Sequence, residues 1–189
     1  MINVKRFAFN TTRANCYVVS DETKECVIID PCAWDSYERG LFLKYIQEEQ
    51  LKPVRCLLTH AHYDHLLSCD QVRDEFGLYP EVHHRDKLWI DRIEDRIEEV
   101  YGIGGFEYDI VKPKHYLDDD EMISFGSHYL ITLHTPGHSP GSVVFYCEKE
   151  RVAFTGDTLF KKSIGSTHSL FGYDVDLMNS LKHITTLLP

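Results

Sequence analysis

Four potential metal ligands lie within six residues of the chain, in the stretch CLLTHAHYDH. They are His60, His62, Asp64 and His65. The apolar run before them is typical of a buried strand, so the cluster is expected where a strand ends and a loop begins. This placement constrains the fold, because a rigid sheet must end at the point where the ligands gather.

The spacing within the cluster predicts two neighbouring cation sites. Residues two apart in an extended segment point to the same side, so His60 and His62 are expected to face one point. Asp64 and His65 follow where the loop turns into the next helix and are expected to face a neighbouring point. Zinc, iron and manganese accept such nitrogen and oxygen ligands. The alternative is a histidine-rich surface loop, because the chain has 11 histidines and a lone H-x-H motif is weak evidence.

Two later strand ends carry further candidate ligands. His138 lies in a turn rich in proline and glycine, within the stretch LITLHTPGHSPGS. Asp157 follows Gly156 at the end of the apolar run RVAFT. Such turns shape a loop rather than a core. We therefore expect His138 and Asp157 to converge on the first cluster.

Composition and length narrow the possible functions. The 189 residues contain no repeat or linker, which predicts a single domain over residues 1–189. A net charge of −10 argues against binding to nucleic acid or to an anionic membrane and leaves a small-molecule substrate as the expected partner. No apolar run suggests a membrane span or a signal peptide. The six cysteines form no C-x-x-C pair, which favours reduced, buried thiols in a cytoplasmic protein. The oligomeric state is left open.

Strand-like and helix-like stretches alternate along the chain, which predicts an α/β layered fold. Apolar, β-branched runs predict strands at 2–9, 15–20, 26–30, 54–59, 129–135, 142–147 and 151–155. Four helices are expected. The first covers 36–50, the second follows the histidine cluster and ends near Gly77, the third covers 87–102, and the fourth begins at Asp174 or Asp176. The third of these helices would place Trp89, Ile93, Ile97 and Val100 on one face.

Three motifs in order, THAHYDH, TPGHSPGS and FTGDTLF, resemble the metallo-β-lactamase superfamily, in particular its hydroxyacylglutathione hydrolase-like (glyoxalase II-like) branch. The similarity extends over most of the chain and includes the early segments NCYVV and IIDP. It implies a four-layer αββα sandwich with metals at one edge, between the two sheets. The implied cofactor is one or two zinc ions, with iron or manganese as alternatives.

The resemblance also implies individual ligands. His60, His62 and His138 correspond to the ligands of the first metal. Asp64 and His65 correspond to ligands of the second, and Asp157 to the residue that bridges both.

The chain departs from the family pattern after its closing helix. Family members continue into another strand and a Gly-His-Gly segment, whose histidine completes the second site, whereas this chain stops at Pro189. We therefore expect a truncated domain that lacks the C-terminal strand. His168 and Cys69 are alternative ligands, although a surface histidine and a buried thiol are simpler interpretations. The family's Gly-Arg pair is Gly165-Ser166 here, which weakens the expectation of a conventional anionic substrate pocket.

The implied activity is hydrolysis of a small thioester. A divalent metal lowers the pKa of a bound water to about 7 and so supplies hydroxide at neutral pH. Asp64 would orient that water and accept its proton. A thiolate, with a thiol pKa of about 8.5, leaves without much acid assistance.

Two alternatives remain open. One is a mononuclear iron oxygenase resembling the persulfide dioxygenases, with His60, His138 and Asp157 as a two-histidine, one-carboxylate triad. The other is a metal-binding but catalytically impaired truncated module.

Overall fold

The larger of two sheets contains the first six strands in sequence order. The structure is a computed structural model that describes residues 1–93, 109–168 and 171–187. The strands are β1 (Asn3–Phe9), β2 (Ala14–Ser20), β3 (Glu25–Ile29), β4 (Lys52–Leu57), β5 (Pro80–His83) and β6 (His115–Leu117). The pairs β1–β2 and β2–β3 are antiparallel, and the pairs from β3 to β6 are parallel. Parallel neighbours need crossover connections, which is where α1 (Ser36–Glu48), α2 (Cys69–Phe76) and α3 (Lys87–Asp91) lie.

The smaller sheet is antiparallel throughout and has the order β10, β9, β8, β7. Its strands are β7 (Met122–Phe125), β8 (His128–His134), β9 (Val143–Cys147) and β10 (Val152–Phe154). Helix α4 (Asp174–Leu187) follows it in the chain.

Alternating side chains divide the core into layers. Ile28 of β3 packs in the cluster that includes residues of α1, α2 and α3, whereas its neighbour Val27 packs between the sheets. In β9, Phe145 lies between the sheets, and Val144 packs with Ile184 of α4. Strands buried on both faces carry continuous apolar runs, as these do. The layers are therefore helix, sheet, sheet and helix, which confirms the predicted αββα architecture.

The helix boundaries follow local signals. Asp35 caps α1 by accepting the N–H of Glu38 at 2.8 Å. Gly77 ends α2 in the left-handed conformation, with φ of 69°. Of the predicted helix over 87–102, the described residues contain α3, which ends at Asp91, and residues 94–102 lie outside the described residues. Trp89 and Ile93 are buried as expected, and the other two positions on that face lie outside the described residues.

Three strands were not predicted from the sequence. These are β5, β6 and β7, of four, three and four residues. Runs this short give too few alternations for periodicity to separate a strand from a loop. Pairing with longer neighbours, rather than local propensity, establishes them.

Two further expectations concern the whole chain. All six cysteines are free and buried, as predicted. Within the described ranges, no helix is both long enough and apolar enough to cross a membrane.

A buried histidine joins the two sheets near the start of β3. His128 has no exposed side-chain surface. Its Nδ1 lies 2.9 Å from Asp21 Oδ2, and its Nε2 lies 3.0 Å from Glu150 Oε1. Ionised carboxylates only accept hydrogen bonds, so both ring nitrogens donate. His128 therefore ties the turn after β2 to the turn after β9.

Replacing His128 with Gln should lower the free energy of unfolding by about 2–4 kcal/mol, because charge-assisted hydrogen bonds are lost and the buried Asp21 loses a partner. Urea denaturation measures the change. His183→Gln, on the exposed face of α4, is the control and should change stability by less than about 0.5 kcal/mol. Equal losses of stability in the two variants would show that the hydrogen bonds of His128 do not stabilise the fold.

Candidate metal centre

The candidate ligands gather where strands end at one edge of the sandwich. The segment with His60, His62 and His65 follows β4, His138 lies in the loop between β8 and β9, and Asp157 follows β10. Since each of these segments leaves a sheet at the same edge, residues far apart in sequence meet there.

Three imidazoles form the first group, and all three side chains are buried. His138 Nε2 lies 2.8 Å from His62 Nδ1 and 3.2 Å from His60 Nε2. In a tetrahedral zinc site with Zn–N bonds of about 2.05 Å, ligand nitrogens are about 3.3 Å apart. The separation between His138 and His60 matches this value, that between His138 and His62 is shorter, and the three nitrogens all lie within 4.8 Å of one another, close enough to bind one ion.

Hydrogen bonds to the opposite ring nitrogens orient two of these rings. The Nδ1 of His138 donates to the carbonyl of Ser166 at 2.6 Å. The Thr59 hydroxyl donates to Asp30 Oδ2 and therefore accepts from Nδ1 of His60, 3.1 Å away. In both rings Nε2 is left with its lone pair facing the centre. Two lone pairs 3.2 Å apart repel each other unless a cation lies between them, so this donor set fits a metal ion.

Burial keeps two of the three rings, those of His60 and His62, uncharged. Burial and then the neighbouring histidines lower the pKa of His62 to about 3. Burial and the adjacent histidines also hold the pKa of His60 well below its ordinary 6.5. Neutral imidazole is the form that binds metal, so these two ligands need no deprotonation at physiological pH.

A second group contains His65, Asp157 and again His60. His65 Nδ1 lies 3.0 Å from Asp30 Oδ2, which turns its Nε2 toward Asp157 Oδ1 at 3.4 Å. The other oxygen of Asp157 lies 3.6 Å from His138 Nε2. One carboxylate oxygen thus faces each group, which is the arrangement of a bridging ligand. An imidazole nitrogen has one lone pair, so His60 can serve only one of two ions.

In the second group His65 carries a proton, unlike His60 and His62. Burial alone would lower the pKa of His65, but the carboxylates of Asp30 and Asp157 raise it well above 6.5. Burial would raise the pKa of Asp157, but contact with His65 lowers it overall. The pair is therefore a salt bridge in the metal-free protein, and a cation would replace its proton.

Asp64 lies in neither group. The Thr12 hydroxyl donates to its Oδ2 at 2.9 Å, and the side-chain amide of Asn10 donates to its carbonyl oxygen at 2.9 Å. These bonds hold the backbone and the half-buried carboxylate of Asp64 against the loop after β1. Its assignment as a ligand of the second metal stays a prediction.

The two alternative ligands lie elsewhere. His168 is exposed, and its backbone N–H donates to Ser166 Oγ. Cys69 is buried in the layer between the larger sheet and its helices, beside Cys56. In the part of the chain that the structure describes, neither belongs to the two groups around His60.

Sequence reasoning missed the role of Asp30. Its Oδ1 accepts the N–H of Thr59 at 2.7 Å, and its Oδ2 accepts the Thr59 hydroxyl and faces His65. Its backbone has a φ of 51°, which aspartate tolerates better than most residues. The available signal was an aspartate placed directly after an apolar strand, followed by proline.

Comparisons with known proteins show which family and which structures the chain resembles. The family model described as the metallo-beta-lactamase superfamily matches residues 10–189. A probable metallo-hydrolase, YqgX of Bacillus subtilis, is 32% identical over 98% of this chain and 84% of its own length. The hydroxyacylglutathione hydrolase GloC of Haemophilus influenzae is 29% identical over 100% of this chain and 85% of its own length. The crystal structure of the BLEG-1 B3 metallo-beta-lactamase superposes with a TM-score of 0.86 at 34% identity, covering 100% of this chain and 87% of that one.

Replacing His62 with Ala should weaken metal binding at the first group by at least about 100-fold, because a direct ligand is worth more than the 10–100-fold of an outer hydrogen bond. Chelator competition and elemental mass spectrometry measure the change. His168→Ala is the matched control and should leave the metal content unchanged. Loss of a metal in His168→Ala would show that the ligand assignment is wrong.

Metal uptake at the second group should release about one proton per ion at pH 7, because the pKa of His65 is raised and its proton must leave. Affinity there should therefore fall as pH falls, by about tenfold per unit below that pKa. His60 and His62 should release none. Calorimetry in two buffers of different ionisation enthalpy counts the released protons. Binding of a second ion without proton release would contradict the salt bridge between His65 and Asp157.

Proposed function

The chain belongs to the metallo-β-lactamase superfamily, and from this premise we propose that it hydrolyses a small thioester with the help of two metal ions. The observation that carries the proposal is the paired ligand arrangement, in which the two oxygens of Asp157 face different histidine groups. The similarity to a hydroxyacylglutathione hydrolase supports a thioester as the substrate class.

The residues divide the work between binding and proton transfer. Metal ions held by the two groups would polarise the scissile carbonyl and make a water acidic. Asp64 orients the attacking water and accepts its proton, and Thr12 restricts rotation of that carboxylate through its hydrogen bond. Asp30 and Ser166 hold the rings of His65 and His138 at fixed angles.

Space for small molecules lies beside the second group. A cavity of about 200 Å³ is bordered by His65 and Asp157, with Arg6 and Lys161 in its lining. Since one water occupies about 30 Å³ of liquid volume, the cavity holds several waters or a small acyl group. The cavity supports the proposal because solvent reaches the ligands from this side.

Leaving-group chemistry favours a thioester over an amide or lactam. A thiolate departs without first gaining a proton, since its thiol has a pKa of about 8.5. An amine leaving group needs a proton, which Asp64 would have to return after accepting it from the attacking water. One carboxylate in the role of proton acceptor therefore suffices for a thioester.

We propose zinc as the metal, with iron and manganese as alternatives, because imidazole and carboxylate serve all three. We further propose a cytoplasmic location, because all six cysteines are free and buried. With a net charge of −10, the proposed partner is a small molecule rather than a nucleic acid.

Substitution of Asp64 by Asn should lower kcat for a 2-hydroxyacyl thioester of glutathione by about 10²–10⁴-fold, because the proton acceptor is lost. Thiol release measures the rate. Asp74→Asn, at an exposed position of α2, is the control and should retain full activity.

Three substrates tested with the metal-loaded protein distinguish the alternatives. Thiol release from the thioester supports the proposal. Oxygen uptake with a glutathione persulfide, and no thiol release, would replace it with an iron oxygenase. Turnover of a chromogenic β-lactam alone would replace it with a lactam hydrolase.

A further inference from the structure

Asp86 is fully buried between the two loops that carry the first histidine group. It stands at the N-cap of α3, where an aspartate ordinarily accepts hydrogen bonds from the first N–H groups of the helix. Its carboxylate makes no such bond. Instead, Oδ2 accepts the N–H of Ala61 at 2.9 Å and the hydroxyl of Ser139 at 2.8 Å. Oδ1 accepts the N–H of Gly141 at 2.6 Å.

These three contacts lie next to metal ligands without including any of them. Ala61 is the residue between His60 and His62, and Ser139 directly follows His138. One carboxylate therefore joins the loop after β4 to the loop between β8 and β9. The nitrogen separations of 2.8 and 3.2 Å across the first group depend on the distance between these two loops.

Only a carboxylate satisfies all three donors. An asparagine at this position would turn an NH₂ group toward one of the three N–H or O–H groups and leave it unpaired. Gly141 permits the close approach, because a Cβ there would lie 2.5 Å from the Asp86 nitrogen and 2.6 Å from its Cγ. Close packing against Asp86 therefore explains why a glycine stands at position 141, which the sequence pattern alone did not indicate.

The charge at this position is costly for folding. Among the ion pairs of the described residues, no Lys or Arg partners Asp86, and burial raises the pKa of its carboxyl although three hydrogen bonds oppose that shift. A buried carboxylate without a cationic partner destabilises a fold relative to an apolar residue. The negative charge of Asp86 is used to accept hydrogen bonds from both ligand loops. A divalent ion bound by the histidines would provide a positive charge nearby.

We propose that Asp86 is a positioning residue for the first metal site, setting metal affinity and coordination geometry by fixing the two ligand loops relative to each other. The proposal rests on the metal site of the proposed function and is independent of the substrate. It assigns to Asp86 no contact with metal or substrate.

The test uses Co²⁺ alone as the probe, because its visible absorption reports coordination geometry. Asp86→Asn should bind Co²⁺ about 10–100-fold more weakly than the unsubstituted protein, as measured by chelator competition, and should shift the absorption bands. Asp21→Asn is the matched control, because Asp21 is also buried and also accepts several hydrogen bonds, but near the start of β3. It should lose stability and keep its Co²⁺ affinity within about threefold.

A second substitution keeps the test decisive if Asp86→Asn does not fold. Ser139→Ala removes one of the three bonds and should weaken Co²⁺ binding by about three- to tenfold. Unchanged affinity and spectrum in Asp86→Asn, or in Ser139→Ala where only that variant folds, would overturn the proposal. So would an equal loss of affinity in Asp21→Asn, which would indicate general destabilisation. If the unsubstituted protein binds no Co²⁺, the metal site itself fails, whereas normal binding with unaffected variants removes only the role of Asp86.

Discussion

The arrangement of the site depends first on the hydrogen bonds made by the carboxylate of Asp30. It accepts the N–H and the hydroxyl of Thr59 and faces Nδ1 of His65. His65 is thus oriented directly, and His60 through the Thr59 hydroxyl. Because Asp30 follows β3 and the other residues follow β4, the parallel pairing of these strands brings the partners together. One buried side chain therefore helps to orient a histidine in each group, His65 in the second and His60 in the first.

The two groups differ in charge although they are neighbours. The histidines of the first include two that burial keeps neutral, whereas His65 in the second holds a proton against two carboxylates. A metal at the first group relieves repulsion between lone pairs, and a metal at the second replaces a proton. Pairing these environments across Asp157 gives one site that attracts two cations for different reasons.

The sequence predicted much of this arrangement from spacing and motifs. His60, His62, His65, His138 and Asp157 were expected to converge, and the structure places them in two adjacent groups. The roles of Asp30 and Asp86 were not predicted, because their partners lie 25 or more residues away in the chain. Asp86 also resembles an ordinary helix cap. Strands β5 to β7 escaped prediction because they depend on neighbouring strands rather than on their own periodicity.

The most direct test of a paired metal centre is the number of metal ions per chain at saturation, measured by elemental mass spectrometry after removal of weakly bound ions. The account predicts about two equivalents of zinc, iron or manganese, falling to about one in Asp157→Ala because the bridging carboxylate is lost. A saturated protein that holds no more than one equivalent, with no change in Asp157→Ala, would contradict it.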